Sequence, residues 1–253
     1  MSEAAGTVVC PAGAAYVWWA RRQDAAGGHI ALLDEDERRR WANYRRDVDR
    51  ERFLAGCALA KIVIAECTGQ RPGDVSFDRT CRQCGKPHGK PTIKGGRLEL
   101  SVAHSGDLVA VAVAAAPVGV DVEQLEGRAR RPGGDDPDAL ARLVLADDER
   151  AALAAVPPPG RARAFLVAWT RKEAVTKAAG DGLRAGFRDV VIAADRGTPR
   201  LVAWPYPQAP QSVSLHDLDA GAGYVAALAV IGRCEEVRVR DGSALLTGLQ
   251  PHR

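Results

Sequence analysis

Lysine is scarce in this chain of 253 residues, with six lysines against 29 arginines. The total charge is nearly balanced all the same, 35 Lys and Arg against 32 Asp and Glu for a formal +3, too little to indicate a nucleic-acid partner by itself. Long apolar runs are also missing. The longest, Leu108 to Val120, has 13 residues and is broken by Pro117, short of the roughly 18–20 needed to span a bilayer, so no membrane partner is expected. The N-terminus carries Glu3 and no basic region ahead of an apolar stretch, which argues against a signal peptide and for a cytoplasmic protein. Six cysteines do not make a disulfide scaffold at this length, and most are expected to be thiols. What remains, 46% hydrophobic and 26% charged residues, is an ordinary globular mixture that excludes disorder, collagen and coiled coil.

An internal echo organises the chain. Laid over each other at a shift of 112, Leu33, Asp36, Glu37, Arg38, Phe53 and Leu54 fall on Leu145, Asp148, Glu149, Arg150, Phe165 and Leu166. Six identities in 22 positions exceed the roughly two expected by chance, which implies a duplicated half. Strand-like runs open the halves at 16–20 and 119–123 and close them at 98–115 and 224–231. Asp34 with Glu37 reads as an N-cap and capping-box partner, starting a helix that re-forms near Asp49 and runs to a C-cap at Gly69. A second long helix is expected from about Ala162 to Ala179, closed by Gly180, with irregular chain at 126–138 and 157–160. Strands and helices that do not strictly alternate predict an α+β fold of two halves, 1–117 and 118–253.

Three clusters carry chemistry. In Gly119-Val-Asp121-Val-Glu123 the alternation of a strand turns both acids to one face while Val120 and Val122 point to the core of what should be a central strand. In the second long helix Trp169, Glu173 and Lys177 line one stripe. That stripe is either a surface Glu-to-Lys pair or, with Asp121 and Glu123, a three-carboxylate site for a hard ion such as Mg²⁺ beside a lysine facing phosphate. The third cluster is GKPHGKP over 85–91 followed by Ser101-Val-Ala-His104-Ser-Gly106, where tight turns gather N–H groups and the Lys90 amine around an anion. His104 is either a hydrogen-bonded structural residue or a phosphate donor.

Together these clusters resemble the 4′-phosphopantetheinyl transferases of the Sfp type, whose pattern is a GKP turn, an SHS-like strand end, G-[IV]-D-[IV]-E and then W-x-x-K-E-x-x-x-K. Here the pieces are Gly89-Lys90-Pro91, Ala103-His104-Ser105, Gly119 to Glu123 and Trp169 to Lys177, in that order. The resemblance implies two similar α+β halves packed as an intramolecular pseudo-dimer, the first binding coenzyme A and the second carrying the metal ligands and catalytic helix. It implies transfer of phosphopantetheine from coenzyme A to a serine of an apo acyl or peptidyl carrier protein, with release of adenosine 3′,5′-bisphosphate. By that likeness Asp121, Glu123 and Glu173 hold Mg²⁺, Lys177 and His104 contact phosphates, and Lys90 belongs to the coenzyme A pocket together with Lys172. Glu149 falls where the family has a glutamate proposed as general base; the other reading is a helix-start acid favoured by the macrodipole. A monomer serving secondary-metabolism carriers, polyketide or non-ribosomal-peptide, follows from the Sfp-type length by analogy.

Two departures stand out. Ala103 replaces a serine frequent before the histidine, and Cys81-x-x-Cys84 with His88 offers either three zinc ligands or ordinary thiols. Seven arginines in 38–52 read mostly as a solvated face, with Arg40 and Arg52 as candidates for the 3′-phosphate. The competing readings are a nucleic-acid module with a zinc knuckle and a Mg²⁺-dependent pyrophosphate hydrolase.

Overall fold

The computed structural model describes residues 10–81, 84–126, 137–180, 186–195, 197–205 and 212–248. It is α+β and divides into two compact units, Met1–Ala115 with Glu235–Arg253, and Ala116–Cys234. The second half expected at 118–253 is thereby corrected at its end. The strand Glu236–Asp241 (β11) pairs in parallel with Ala14–Arg21 (β1), so the last residues belong to the first unit.

In the first unit, Leu108–Ala114 (β5) pairs antiparallel with both β1 and Glu99–Ser105 (β4). Two-residue strands at Phe77–Asp78 (β2) and Thr92–Ile93 (β3) complete a sheet of order β11-β1-β5-β4-β3-β2. Every residue of β5 is buried, as expected of a mid-sheet strand covered on both faces. The helix Glu35–Asn43 (α1) starts with the predicted capping box: Glu37 N donates to Asp34 Oδ1 at 2.8 Å and Asp34 N to Glu37 Oε2 at 3.0 Å. The next helix, Asp47–Thr68 (α2), ends at Gly69 in the left-handed region (φ 73°). From Phe53 to Ala65 it is buried all round, because β4, β5, α1 and the C-terminal helix Gly242–Gly248 (α6) all pack against it.

In the second unit, Tyr224–Ile231 (β10) lies between Val118–Gln124 (β6) and Val213–Leu218 (β9), all antiparallel. The hairpin of Val191–Asp195 (β7) and Thr198–Ala203 (β8) stands beside it. Within that sheet β6 is at the edge, not central as its apolar approach suggested. Of the irregular stretch 126–138, positions 127–136 lie outside the described residues, and from Pro137 the chain is already helical (α3, Pro137–Val144). Asp147–Ala155 (α4) follows, then the long helix Pro158–Ala179 (α5) with Gly180 left-handed at its end (φ 83°). This helix starts earlier than expected because Pro158 and Pro159 occupy its first turn, where a missing N–H costs nothing. Among the described residues no helix is long and apolar enough to cross a membrane.

Both long helices have 22 residues, and Lys61 and Gly69 of the first stand 111 positions before Lys172 and Gly180 of the second. The duplication therefore extends into the architecture, with a one-residue change of register after the helix starts at Glu37 and Glu149.

Candidate functional site

The second unit concentrates its charge where α5 lies on β6. Gly119, Asp121 and Glu123 share one face of the strand, and α5 covers that face. A Cβ on Gly119 would stand 2.0 Å from the carbonyl oxygen of Ala174 and 2.4 Å from the amide nitrogen of Ala178, so only glycine lets the two backbones touch. The contact brings Lys177 onto the strand, where its ammonium donates to Asp121 Oδ1 at 2.6 Å and to the Val120 carbonyl at 3.1 Å. Burial lowers the Lys177 pKa, but Asp121, Glu173 and Glu123 raise it, and the net shift is upward. One ammonium thus feels three carboxylates. The surface Glu173–Lys177 pair is replaced by this cluster, with Asp121 only 6% exposed. Both faces of β6 are buried as far as Val122, so Asp121 is not on a solvated surface, while Glu123 and Glu173 are half-buried. The carboxylates that act on this ammonium are hard oxygen donors, the kind that a divalent cation such as Mg²⁺ takes.

The structure joins Glu149, the expected base, and Lys172, the expected coenzyme A ligand, in one buried ion pair. Glu149 is the third residue of α4, and its Oε2 accepts from Ala146 N at 2.8 Å and Lys172 Nζ at 2.5 Å. Its Oε1 accepts from Ile192 N at 3.0 Å. The Lys172 ammonium, fully buried, also donates to the carbonyls of Val144 (2.9 Å) and Phe187 (2.8 Å), which uses all three of its protons. Burial lowers its pKa against the opposing pull of Glu149. This carboxylate ties α4, α5 and β7 together. The first unit repeats the device. Glu37, again third in its helix, meets the buried Lys61 ammonium at 3.1 Å, and Lys61 donates to the Val75 carbonyl at 2.6 Å.

The other candidate residues lie in the first unit. His104 is exposed near the end of β4, opposite Val109, ahead of a turn with Gly106 left-handed (φ 58°). Arg52 from α2 holds that turn, its Nε donating to the Gly106 carbonyl at 2.7 Å and its guanidinium reaching Asp49 at 3.1 Å. Arg22 clamps the same turn through Asp107 (2.7 Å) and pairs with Glu51. Lys90 donates to Glu99 Oε2 at 2.8 Å at the opposite end of β4. His104 and Glu99 are therefore about 17 Å apart along the strand. Arg40 is not at the turn; its guanidinium lies over the Phe53 ring, 5.5 Å from the centroid. On the arginine-rich face opposite charges pair at helical spacing, as Arg39–Asp36, Arg50–Asp47 and Arg52–Asp49.

Comparison with known proteins decides the family. Residues 117–229 match the model described as 4′-phosphopantetheinyl transferase superfamily, and 18–116 match that for 4′-phosphopantetheinyl transferase, N-terminal. The 4′-phosphopantetheinyl transferase HetI of Nostoc sp. is 31% identical over 203 residues, covering 80% of each chain. The chain belongs to the 4′-phosphopantetheinyl transferase family. A 4′-phosphopantetheinyl transferase of Bacillus subtilis is 27% identical over 61% of this chain and 63% of its own. The holo-[acyl-carrier-protein] synthase of Neisseria meningitidis aligns at 25% identity over 46% of this chain and 97% of that one, with a TM-score of 0.40.

In this phosphopantetheinyl transferase, sequence reading passed over Glu99 as the partner of Lys90, and Arg22 with Asp107 at the His104 turn. Each pairs residues remote in sequence, and only the assembled sheet brings them together. The packing role of Gly119 was more accessible, since a glycine inside a strand marks a close backbone approach.

Proposed function

We propose that this transferase moves 4′-phosphopantetheine from coenzyme A to a serine hydroxyl of an apo carrier protein in a Mg²⁺-dependent reaction. The observation that carries the reading is the cluster of Asp121, Glu123, Glu173 and Lys177 where α5 meets β6. The three carboxylates are the residues that would hold Mg²⁺, whose charge would offset that of the pyrophosphate oxygens. Lys177, kept protonated by its acidic neighbours, donates to a phosphate oxygen. Asp121 anchors that ammonium, and Gly119 sets the helix height at which it is delivered. The serine oxygen forms its bond to the β-phosphorus and gives up its proton to solvent, the bond from that phosphorus to the bridging oxygen breaks, and adenosine 3′,5′-bisphosphate leaves. Positioning and charge neutralisation dominate such a step.

The first unit serves coenzyme A. Lys90 and His104, at opposite ends of β4, suit an extended polyanion, and Arg52 braces the turn that presents His104. Arg40 completes the basic set for the 3′-phosphate. The catalytic set in this reading is Lys177 with His104, while Glu149 and Lys172 serve the scaffold. The protein acts as a cytoplasmic monomer on carriers of the polyketide or non-ribosomal-peptide kind.

The test is incubation with coenzyme A, Mg²⁺ and a panel of apo carriers, followed by intact-mass measurement. A gain of one phosphopantetheinyl group on a carrier is expected. If no polyketide, peptidyl or fatty-acid carrier gains it, the reading fails; free phosphopantetheine in its place would mark a hydrolase.

A further inference from the structure

The loop between β2 and β3 contains the clearest cluster of ligating side chains that the transfer reaction leaves unused. Its Cys81 and Cys84 sulfurs and a ring nitrogen of His88 all lie within 4.8 Å of one another, and Cys84 Sγ and His88 Nε2 are hydrogen-bonded at 2.9 Å. None of the six cysteines is in a disulfide. For a tetrahedral zinc with bonds of about 2.3 Å to sulfur and about 2.0 Å to nitrogen, the ligand atoms stand roughly 3.6–3.8 Å apart. The observed cluster brackets that separation, so closing on an ion takes side-chain movements of about 1 Å or less.

The backbone is folded for this convergence. Gly85, left-handed at φ 70°, donates its N–H to the Cys81 carbonyl at 2.9 Å, and Cys81 N donates to the Lys86 carbonyl at 2.8 Å. Gly89 N then returns to the Arg79 carbonyl at 2.7 Å, where a Cβ would meet the Thr80 oxygen at 2.8 Å. The strand-to-strand connection thus closes on itself with both cysteines and the histidine inside one small ring. Apolar packing does not hold it, since no described residue from Arg79 to Pro91 is buried and Cys84 and His88 are exposed. A short exposed loop with no core of its own is what a bound metal stabilises.

We propose that Cys81, Cys84 and His88 bind one zinc ion, with water in the fourth position on the exposed side. Two thiolates and an imidazole select a borderline-soft ion over Mg²⁺, so this centre is chemically separate from the Asp121, Glu123 and Glu173 cluster. Its consequence is mechanical. The zinc pins the loop whose last residues carry Lys90 to Glu99 (2.8 Å), and so orders the GKP turn.

The test uses the full chain, free of any histidine tag and purified without chelator, and reads metal content. One zinc per chain is expected by mass spectrometry of the metal. After chelation and reloading with Co²⁺, tetrahedral visible bands and a thiolate charge-transfer band should appear. Cys84→Ser with His88→Ala should lose the zinc and both signals while the cooperative thermal transition persists, because both side chains lie outside the core. Zinc-free protein that also gives no tetrahedral cobalt spectrum overturns the proposal, as does full zinc retention by the double variant. Neither result depends on transferase activity, so the failure of this inference and of the proposed reaction are distinguishable.

Discussion

Gly119→Ala tests the central geometric claim, that the acids and Lys177 meet because strand and helix backbones touch. The added Cβ would lie 2.0 Å from Ala174 O, 2.4 Å from Ala178 N and 3.0 Å from Lys177 C. All three are backbone atoms of α5, so no side-chain rotation relieves the clash. Restoring ordinary contact moves the helix outward by more than about 1 Å. Overpacking of this kind costs about 1–3 kcal/mol, which for a protein of this size lowers Tm by roughly 2–4 °C per kcal/mol. The functional cost is larger, because a displacement of about 1 Å can cost on the order of 10²-fold in rate, and this one carries Glu173 and Lys177 away from Asp121 and Glu123 together. Intact-mass assays of carrier modification over a range of Mg²⁺, paired with thermal melts, measure both effects. Gly73→Ala is the control, since its Cβ would meet nothing within 4 Å. A folded Gly119→Ala protein with wild-type turnover and an unchanged Mg²⁺ requirement would falsify the reasoning.

Three further outcomes are expected. Glu149→Gln leaves the Lys172 ammonium buried without its counter-charge, so chemical denaturation should show a loss of about 3–5 kcal/mol, as for other broken buried pairs, with turnover per folded molecule little changed. Glu37→Gln should behave alike through Lys61, and a large turnover defect confined to folded Glu149→Gln would restore the general-base reading. Asp121→Asn should shift the Mg²⁺ concentration for half-maximal activity upward at least tenfold and abolish any Mg²⁺-induced rise in Tm; an unchanged titration removes Asp121 from the ligand set. Lys177→Arg keeps the charge but replaces a compact ammonium by a planar fork that the 2.6 Å contact to Asp121 was not shaped for. Turnover should fall tenfold or more with little change in Tm, and full activity would show that a lysine is not needed there.

Much of the fold was legible because its signals are local. The Asp34 capping box, the left-handed Gly69 and Gly180, and the apolar strands β1, β4, β5, β6 and β10 each announce themselves within a few residues. β11 did not. Its sequence, EVRVRD, is largely exposed and charged, and it is a strand because β1, over 200 residues earlier, offers an edge. At the site the acids and Lys177 were legible as a stripe and a strand face, whereas Lys172 was assigned to the coenzyme A pocket by likeness to the family pattern. On a helix it points about 140° away from Lys177, toward α4 and Phe187.

The duplication separates the two kinds of residue more sharply than spacing does. Where both halves carry the same group, it builds the fold: Glu37 and Glu149 start helices, Lys61 and Lys172 are the buried ammoniums they meet, and Gly69 and Gly180 end the long helices. Two differences between the halves at equivalent positions of those helices fall at the proposed site. Glu173 stands where the first half has the buried Ile62, and Lys177 where it has Glu66. A charge that replaces a core side chain in only one of two copies is not needed to fold either of them. Such a charge can therefore be spared for a metal or a phosphate, as Glu173 can beside Asp121 and Glu123, while Lys177 reverses the sign of the half-buried Glu66 at the equivalent place in the first half.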